Sequence, residues 1–307
     1  MIVIEKQMDS LKVKVKTLIL GVGGGYDIYT CLPWFLSLTP EEQSLCLLAN
    51  YSFTDDLYKY GDVHIVPVEP STVRTEKNKS YFPEHHLAKS LNRTVYAIRL
   101  IPCPFLIEVL SAFVVQHQIQ QIYMFDGGID SVIFGNERPY GSPTEDSQTV
   151  LACSKLNIPC RLFVSALGVD DCDNSAYLKH WETFHNNKFE LGPSLCGWEQ
   201  YSQIVRSSEP PSIIQESIIA AGNGNRGRYK NLRLYPSRIP HEEDMPVLLE
   251  ETNILWEWNL NTLVQKSPFY QHLLEKLPEI NITDWVLGWI DWDHIVVRYL
   301  HGDARNC

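Results

Sequence analysis

The sequence predicts an α/β fold: a Rossmann-like, mostly parallel sheet flanked by helices, with a helical C-terminal part. Three observations predict it. Short apolar runs of strand length alternate with helical or loop segments through the first half. A glycine-rich loop directly follows the first of those runs. Beyond Asp171 the pattern turns mainly helical. On this division residues 1–235 form an α/β ligand-binding domain, and residues 236–307 a C-terminal helical extension packed on it.

The expected strands follow in chain order. Residues 13–20 (VKVKTLIL) alternate and then become continuously apolar, as a strand entering a core does. Residues 44–49, 95–101, 121–125 and 161–167 supply further apolar runs. Residues 63–68 (VHIVPV) carry Pro67, which cannot donate to a ladder and so predicts an edge position or a strand end. Residues 74–86 are polar and read as loop. Helices are expected over 32–38 and 105–116, the latter entered through Pro104. Another begins at the capping box Ser142-Pro143-Thr144-Glu145 and runs to about Lys155. Later helices are expected over 176–185, 198–205, 212–221, 269–277 and 282–290.

Composition narrows the function. Hydrophobic residues make up 44% of the 307, enough for a large core. The formal net charge is −11, with 26 Lys and Arg, which argues against nucleic acid as a partner because such binding rests on cations neutralising phosphates. The one basic cluster is Arg226, Arg228, Lys230 and Arg233. No apolar run has the length of a membrane span, and the first ten residues lack the apolar core of a signal peptide, so a cytoplasmic, membrane-free protein is expected. The 8 cysteines form no C-x-x-C pair and mostly sit in apolar runs, the usage of reduced thiols.

Two loops carry the candidate chemistry. Gly21-Val22-Gly23-Gly24-Gly25 follows the first strand, with Asp27 just beyond. Glycines let backbone N–H groups approach a ligand, and a loop of this kind opening a helix is an anion site. Gly23, Gly24, Gly25 and Asp27 are therefore candidate ligand contacts, with a tight strand-to-helix turn as the alternative. Tyr26 stands where a dinucleotide fingerprint wants its last glycine, and the second strand ends in Asn50 rather than an acid, so hydride chemistry is not indicated. Asn50 stays a candidate ligand contact at that strand end. Pro33 is expected to kink any helix that starts at Asp27.

The second loop, after the strand at 121–125, is rich in acids. Asp126, Asp130 and Glu137 are candidate catalytic residues, and Asp126 and Asp130 candidate metal ligands. Gly127, Gly128, Ser131, Ser142 and Glu145 are candidate ligand contacts. Clustered carboxylates repel and need a cation, a proton or a donor-rich ligand, and oxygen-only sets suit Mg2+ or another divalent cation. Structural alternatives are plain for several of them. Glu145 can complete its capping box, Asp146 can complement the helix dipole, and Asp130 can cap a turn. Asp170 and Asp171 add carboxylates after the strand at 161–167.

These motifs carry a resemblance. LILGVGGGYDIYTCLP at 18–33 and FDGGIDSVIFGNERPYGSPTEDSQTVLA at 125–152 resemble the N-terminal and central signatures of the family catalogued as domain of unknown function 1152, and LLANYSF at 47–53 looks similar too. The resemblance spans roughly the first 230 residues. It implies that the Gly23–Asp27 and Asp126–Asp146 segments are the ones family members share, and it implies no reaction, substrate or cofactor. Asn136 stands where an acid is common in that family, so no metal role for position 136 follows.

The reading that results is a hydrolase or group transferase for a nucleotide or phosphorylated metabolite bound at the carboxyl ends of the strands. A non-catalytic nucleotide or metabolite sensor with the same pocket is the alternative. A third reading is a partner-binding protein presenting Trp256-Glu257-Trp258 and the C-terminal tryptophans; a homo-oligomer is compatible with each.

Overall fold

The computed structural model describes residues 11–74, 81–135, 143–169, 185–229 and 245–301. Its centre is one eight-stranded sheet of β1 (Thr17–Gly21), β2 (Cys46–Ser52), β3 (Ile65–Val68), β4 (Val95–Arg99), β5 (Gln121–Asp126), β6 (Cys160–Val164), β7 (His185–Glu190) and β10 (Ile254–Asn259). The order is β3-β4-β2-β1-β5-β6-β10-β7. The five strands from β4 to β6 are parallel. β3 pairs antiparallel at one edge, and β10 lies antiparallel between β6 and β7. β8 (Gly227–Arg228) and β9 (Val247–Leu248) form a separate two-stranded ribbon.

Strands of a parallel sheet are buried on both faces, and the alternation of side chains sorts the core into two layers. Leu18, Leu20, Ile122, Met124, Leu162, Trp256 and Trp258 point to one layer. Ile19, Tyr123, Phe125, Phe163 and Leu255 point to the other. The helices divide accordingly. They are α1 (Leu32–Phe35), α2 (Pro40–Ser44), α3 (Pro83–Leu91), α4 (Cys103–His117), α5 (Pro143–Ser154), α6 (Trp198–Ser207), α7 (Ile213–Gly222), α8 (Leu260–Lys266), α9 (Pro268–Lys276) and α10 (Trp285–His301). α4, α5 and α8 to α10 pack on the first layer, and α1, α3, α6 and α7 on the second. No helix among the described residues is long and apolar enough to cross a membrane.

The expected class and the six expected strands are present, with shifted bounds. Residues 13–16 are not strand, because both neighbours begin only opposite Thr17, at Cys46 and Gln121. Pro67 does sit on an edge strand, β3. The polar segment 74–86 is not all loop: α3 starts within it, with Pro83 in its first turn. The helix expected over 176–185 lies outside the described residues except at His185, which opens β7; its HNNKFE is polar and mostly exposed, with Phe189 alone buried, and has no hydrophobic alternation.

The largest correction concerns the C-terminal part. Residues beyond 235 do supply helices, but they also supply β10, which sits inside the main sheet. A boundary at 235 therefore divides one layer. Trp256 and Trp258 are 3% and 1% exposed, so they form core and not the partner surface that the third reading required. Glu257, on the opposite face, takes hydrogen bonds from Arg161 Nε of β6 at 2.7 Å and Asn187 Nδ2 of β7 at 2.6 Å. One carboxylate thus ties three strands together.

Candidate functional site

The strand order reverses between β1 and β5: the chain winds from β1 toward β2 and β4 on one side, and from β5 toward β6 on the other. At such a switch point the loops leaving the two central strands diverge and open a crevice beyond the carboxyl ends of the sheet. Register sets the two loops side by side. Gly21 pairs with Phe125, and Val22 N–H donates to the Phe125 carbonyl at 3.0 Å. The glycine loop and the acidic loop, expected to share one face, leave the sheet as neighbours.

Gly24 and Gly25 have φ of 93° and 58°, a region that favours glycine. Close packing also matters. A Cβ on Gly23 would stand 2.2 Å from Asp146 Oδ2, one on Gly24 2.8 Å from the Phe53 ring, and one on Gly25 2.3 Å from the Tyr81 hydroxyl. The glycines admit a carboxylate and two aromatic rings against the backbone. Asp27 then locks the loop: its carboxylate accepts from Gly23 N–H at 2.6 Å and from Gly127 N–H, in the other loop, at 3.3 Å. The expected opening of a helix by this loop is not realised as such. Asp27–Cys31 is a short 3-10 turn, and Pro33 lies in the first turn of four-residue α1 rather than kinking a longer helix. Anion binding at a long helix N-terminus is therefore set aside. The backbone N–H groups of Gly24 and Gly25 meet no protein acceptor among the described residues.

Asp126 closes β5 and is 1% exposed. Its Oδ2 accepts from Ser131 N–H at 3.2 Å and from the Ser131 hydroxyl, while Oδ1 has no partner among the described residues. Ser131 is held in turn by Tyr270, whose hydroxyl donates to the Ser131 carbonyl at 2.6 Å. Asp146, in the first turn of α5, is 2% exposed and also leaves Oδ1 without a partner. One carboxylate oxygen each from Asp27, Asp126 and Asp146 lies within 4.8 Å of the others. Three formal negative charges cannot share that space in a dry environment without compensation. Burial, and then the charges of Asp130 and Asp27, push the Asp126 carboxyl well above its ordinary range, and burial with Asp130, Asp126, Asp27 and Glu145 does the same to Asp146.

Asp27 and Asp146 border a cavity of about 270 Å3, while the buried Asp126 stands behind its wall. Its walls include the glycine loop from Gly23 to Asp27, together with Gly127, Asp130, Asp146, Phe53, Tyr81 and Gln215. Gln215 is fixed by donating to the Tyr26 carbonyl at 3.1 Å and to the Thr30 hydroxyl at 2.9 Å.

Other expected site residues fall elsewhere. Asn50 is fully buried behind the loop, where its Nδ2 donates to the Gly25 carbonyl at 2.9 Å and to Glu84 Oε1 at 2.6 Å, so it shapes the loop and does not line the cavity. Gly128 and Ser131 are buried within the acidic loop, off the cavity wall. Glu145 stands off the cavity wall, its Oε2 buried without a partner among the described residues, and burial lifts its carboxyl to about 7. Glu137, Ser142, Asp170 and Asp171 lie outside the described residues, as do Lys230 and Arg233. Arg226 is engaged by the Ala221 and Asn225 carbonyls and by Glu250.

Sequence reasoning gave Asp146 only a role at the helix dipole, and it passed over Phe53, Tyr81, Gln215 and Glu84. Phe53 had a readable position, at the end of the second apolar strand. The glycine contacts of Asp146 and Tyr81 are long-range and leave no local mark.

Comparison with family models, with curated proteins and with solved structures finds no match.

Proposed function

We propose that the crevice binds a divalent cation and a phosphate-bearing small molecule, and that the protein is a hydrolase or group transferase acting on a nucleotide or phosphorylated metabolite. The observation that carries this is the carboxylate trio: Asp27, Asp126 and Asp146 bring oxygens within 4.8 Å, and two of these acids are buried with an oxygen left over. A hard cation such as Mg2+ satisfies such oxygens and removes the repulsion between them. It also polarises a phosphoryl oxygen and lowers the pKa of a bound water. Gly24 and Gly25 line the same space, and their N–H groups are the donors we assign to phosphate oxygens. Asp130 lines the cavity, and we assign it the role of accepting the proton of an attacking water or hydroxyl. The two loops are also those on which the resemblance to the domain of unknown function 1152 signatures rests.

One observation favours the sensor alternative. Among the described residues the cavity wall carries no His, Lys or Cys, common nucleophiles and proton shuttles besides carboxylates. Incubation with pools of nucleotides and sugar phosphates, with and without Mg2+, separates the readings. A Mg2+-dependent product lost in Asp146→Asn supports the enzyme. Binding without product supports the sensor, and absence of both binding and product discards the site.

A further inference from the structure

The cavity has a second character that phosphate and cation leave unused: part of its wall is aromatic. Phe53 follows β2 directly and is 40% exposed, although it borders a cavity where its ring could be covered. Its ring lies against Gly24, closely enough that a Cβ there would meet it at 2.8 Å. Tyr81 stands at the next glycine, its hydroxyl 2.3 Å from where a Gly25 Cβ would be. Tyr81 does not hang loose: Tyr26 packs edge-on against it with ring centroids 5.6 Å apart, and the Tyr26 hydroxyl is anchored on the Pro210 carbonyl at 2.5 Å. Two rings are therefore placed beside the two glycines whose N–H groups await an acceptor.

We infer that the ligand carries a planar nucleobase that packs against Phe53 and Tyr81, so that the substrate class is the mononucleotides rather than sugar phosphates. The inference rests on the phosphate-and-cation reading above for the other end of the ligand. A partly exposed ring gains when a flat π-face covers it, and such stacking tolerates any base. Size sets an upper bound on the ligand. About 270 Å3 lies just below the usual range for small-ligand sites, about 300–1,000 Å3, which accommodates one nucleotide and leaves no room for a dinucleotide. The tyrosine stays a neutral ring with a hydroxyl donor, since burial and its neighbours Tyr26, Glu84 and Asp27 hold its phenol well above the ordinary range.

The test compares affinities of the full chain for Mn2+ alone, then, with Mn2+ present, for inorganic phosphate, ribose 5-phosphate, AMP and UMP, and finally for adenosine against ribose without added cation. AMP and UMP are expected to bind roughly tenfold tighter than ribose 5-phosphate, the scale of one stacked base. Phe53→Leu removes that margin while leaving the Mn2+ and ribose 5-phosphate affinities in place, and Phe53→Trp keeps it and adds fluorescence quenching by the base. Equal affinity for nucleotides and ribose 5-phosphate, or a margin that survives in Phe53→Leu, overturns the inference and leaves the cation reading standing. Absence of Mn2+ binding overturns the cation reading instead, and the adenosine-to-ribose ratio in wild type and Phe53→Leu then decides the ring contact by itself.

Discussion

Gly23 shows how much a single missing Cβ does here, because the space it leaves is occupied by the Asp146 carboxylate. Gly23→Ala is expected to displace that carboxylate and weaken Mn2+ binding by at least about tenfold, the usual effect of disturbing a ligand's support, while the far-ultraviolet spectrum stays native. Isothermal titration reads the first and circular dichroism the second. Protons compete with the cation for Asp126 and Asp146, whose carboxyls burial and neighbouring acids push well above the ordinary range, so Mn2+ affinity should climb as pH rises beyond the usual carboxylate range. A flat profile counts against these two as ligands. Glu84 makes a separate pH prediction. Burial lifts its carboxyl from 4.5 to about 7, against hydrogen bonds from Asn50 and Ser52. Between those pH values the folded chain holds a proton that the unfolded chain has shed. The stability from this group is complete below about 4.5 and is lost as pH rises through about 7. Urea unfolding of Glu84→Gln at about pH 5 and about pH 8 should show a smaller loss at the higher pH than wild type does. Of these residues Gly23 and Asp126 were legible beforehand, the one within a glycine loop and the other as an acid ending an apolar strand. Asp146 at a helix start reads equally well as a complement to the helix dipole, and Glu84 sits in a polar stretch whose burial depends on the distant Asn50 and Ser52.

Among the elements, β10 is the one whose sequence signal was present and misassigned. Ile254–Asn259 is a short apolar run interrupted only by Glu257, the mark of a strand buried on both faces, but two tryptophans around an acid also look like an exposed contact patch. Packing decides between them: both indoles face the α4 and α5 layer, and Glu257 reaches Arg161 and Asn187. Trp258→Ala is expected to cost about 3–5 kcal/mol by denaturant unfolding, as large-to-small core changes do. Glu257→Gln should cost about 2 kcal/mol, since Arg161 is partly exposed and water compensates part of the lost pair. If neither variant shifts the midpoint, the strand is not integral to the sheet. The parallel strands were legible because burial on both faces makes them continuous apolar runs. β7 was not, because a polar edge strand differs little from a loop until a partner is known.

At the scale of the whole molecule, strand order does what no local segment can. The first winding toward β2 and β4 and the second toward β6 diverge from β1 and β5, and that divergence places residues a hundred positions apart, Asp27 and Gly127, within one hydrogen bond. The βαβ alternation made a parallel sheet readable, but the order of its strands depends on packing between helices far apart in the chain. The insertion of β10 between β6 and β7 has a consequence for synthesis. While a ribosome is still adding the last third of the chain, β6 presents a bare edge and β7 has no neighbour in the main sheet, since the strand that joins them has yet to emerge. A nascent chain halted near residue 250 should therefore be captured by chaperones or self-associate through that edge, and completion of the sheet should coincide with release of residue 259 from the exit tunnel.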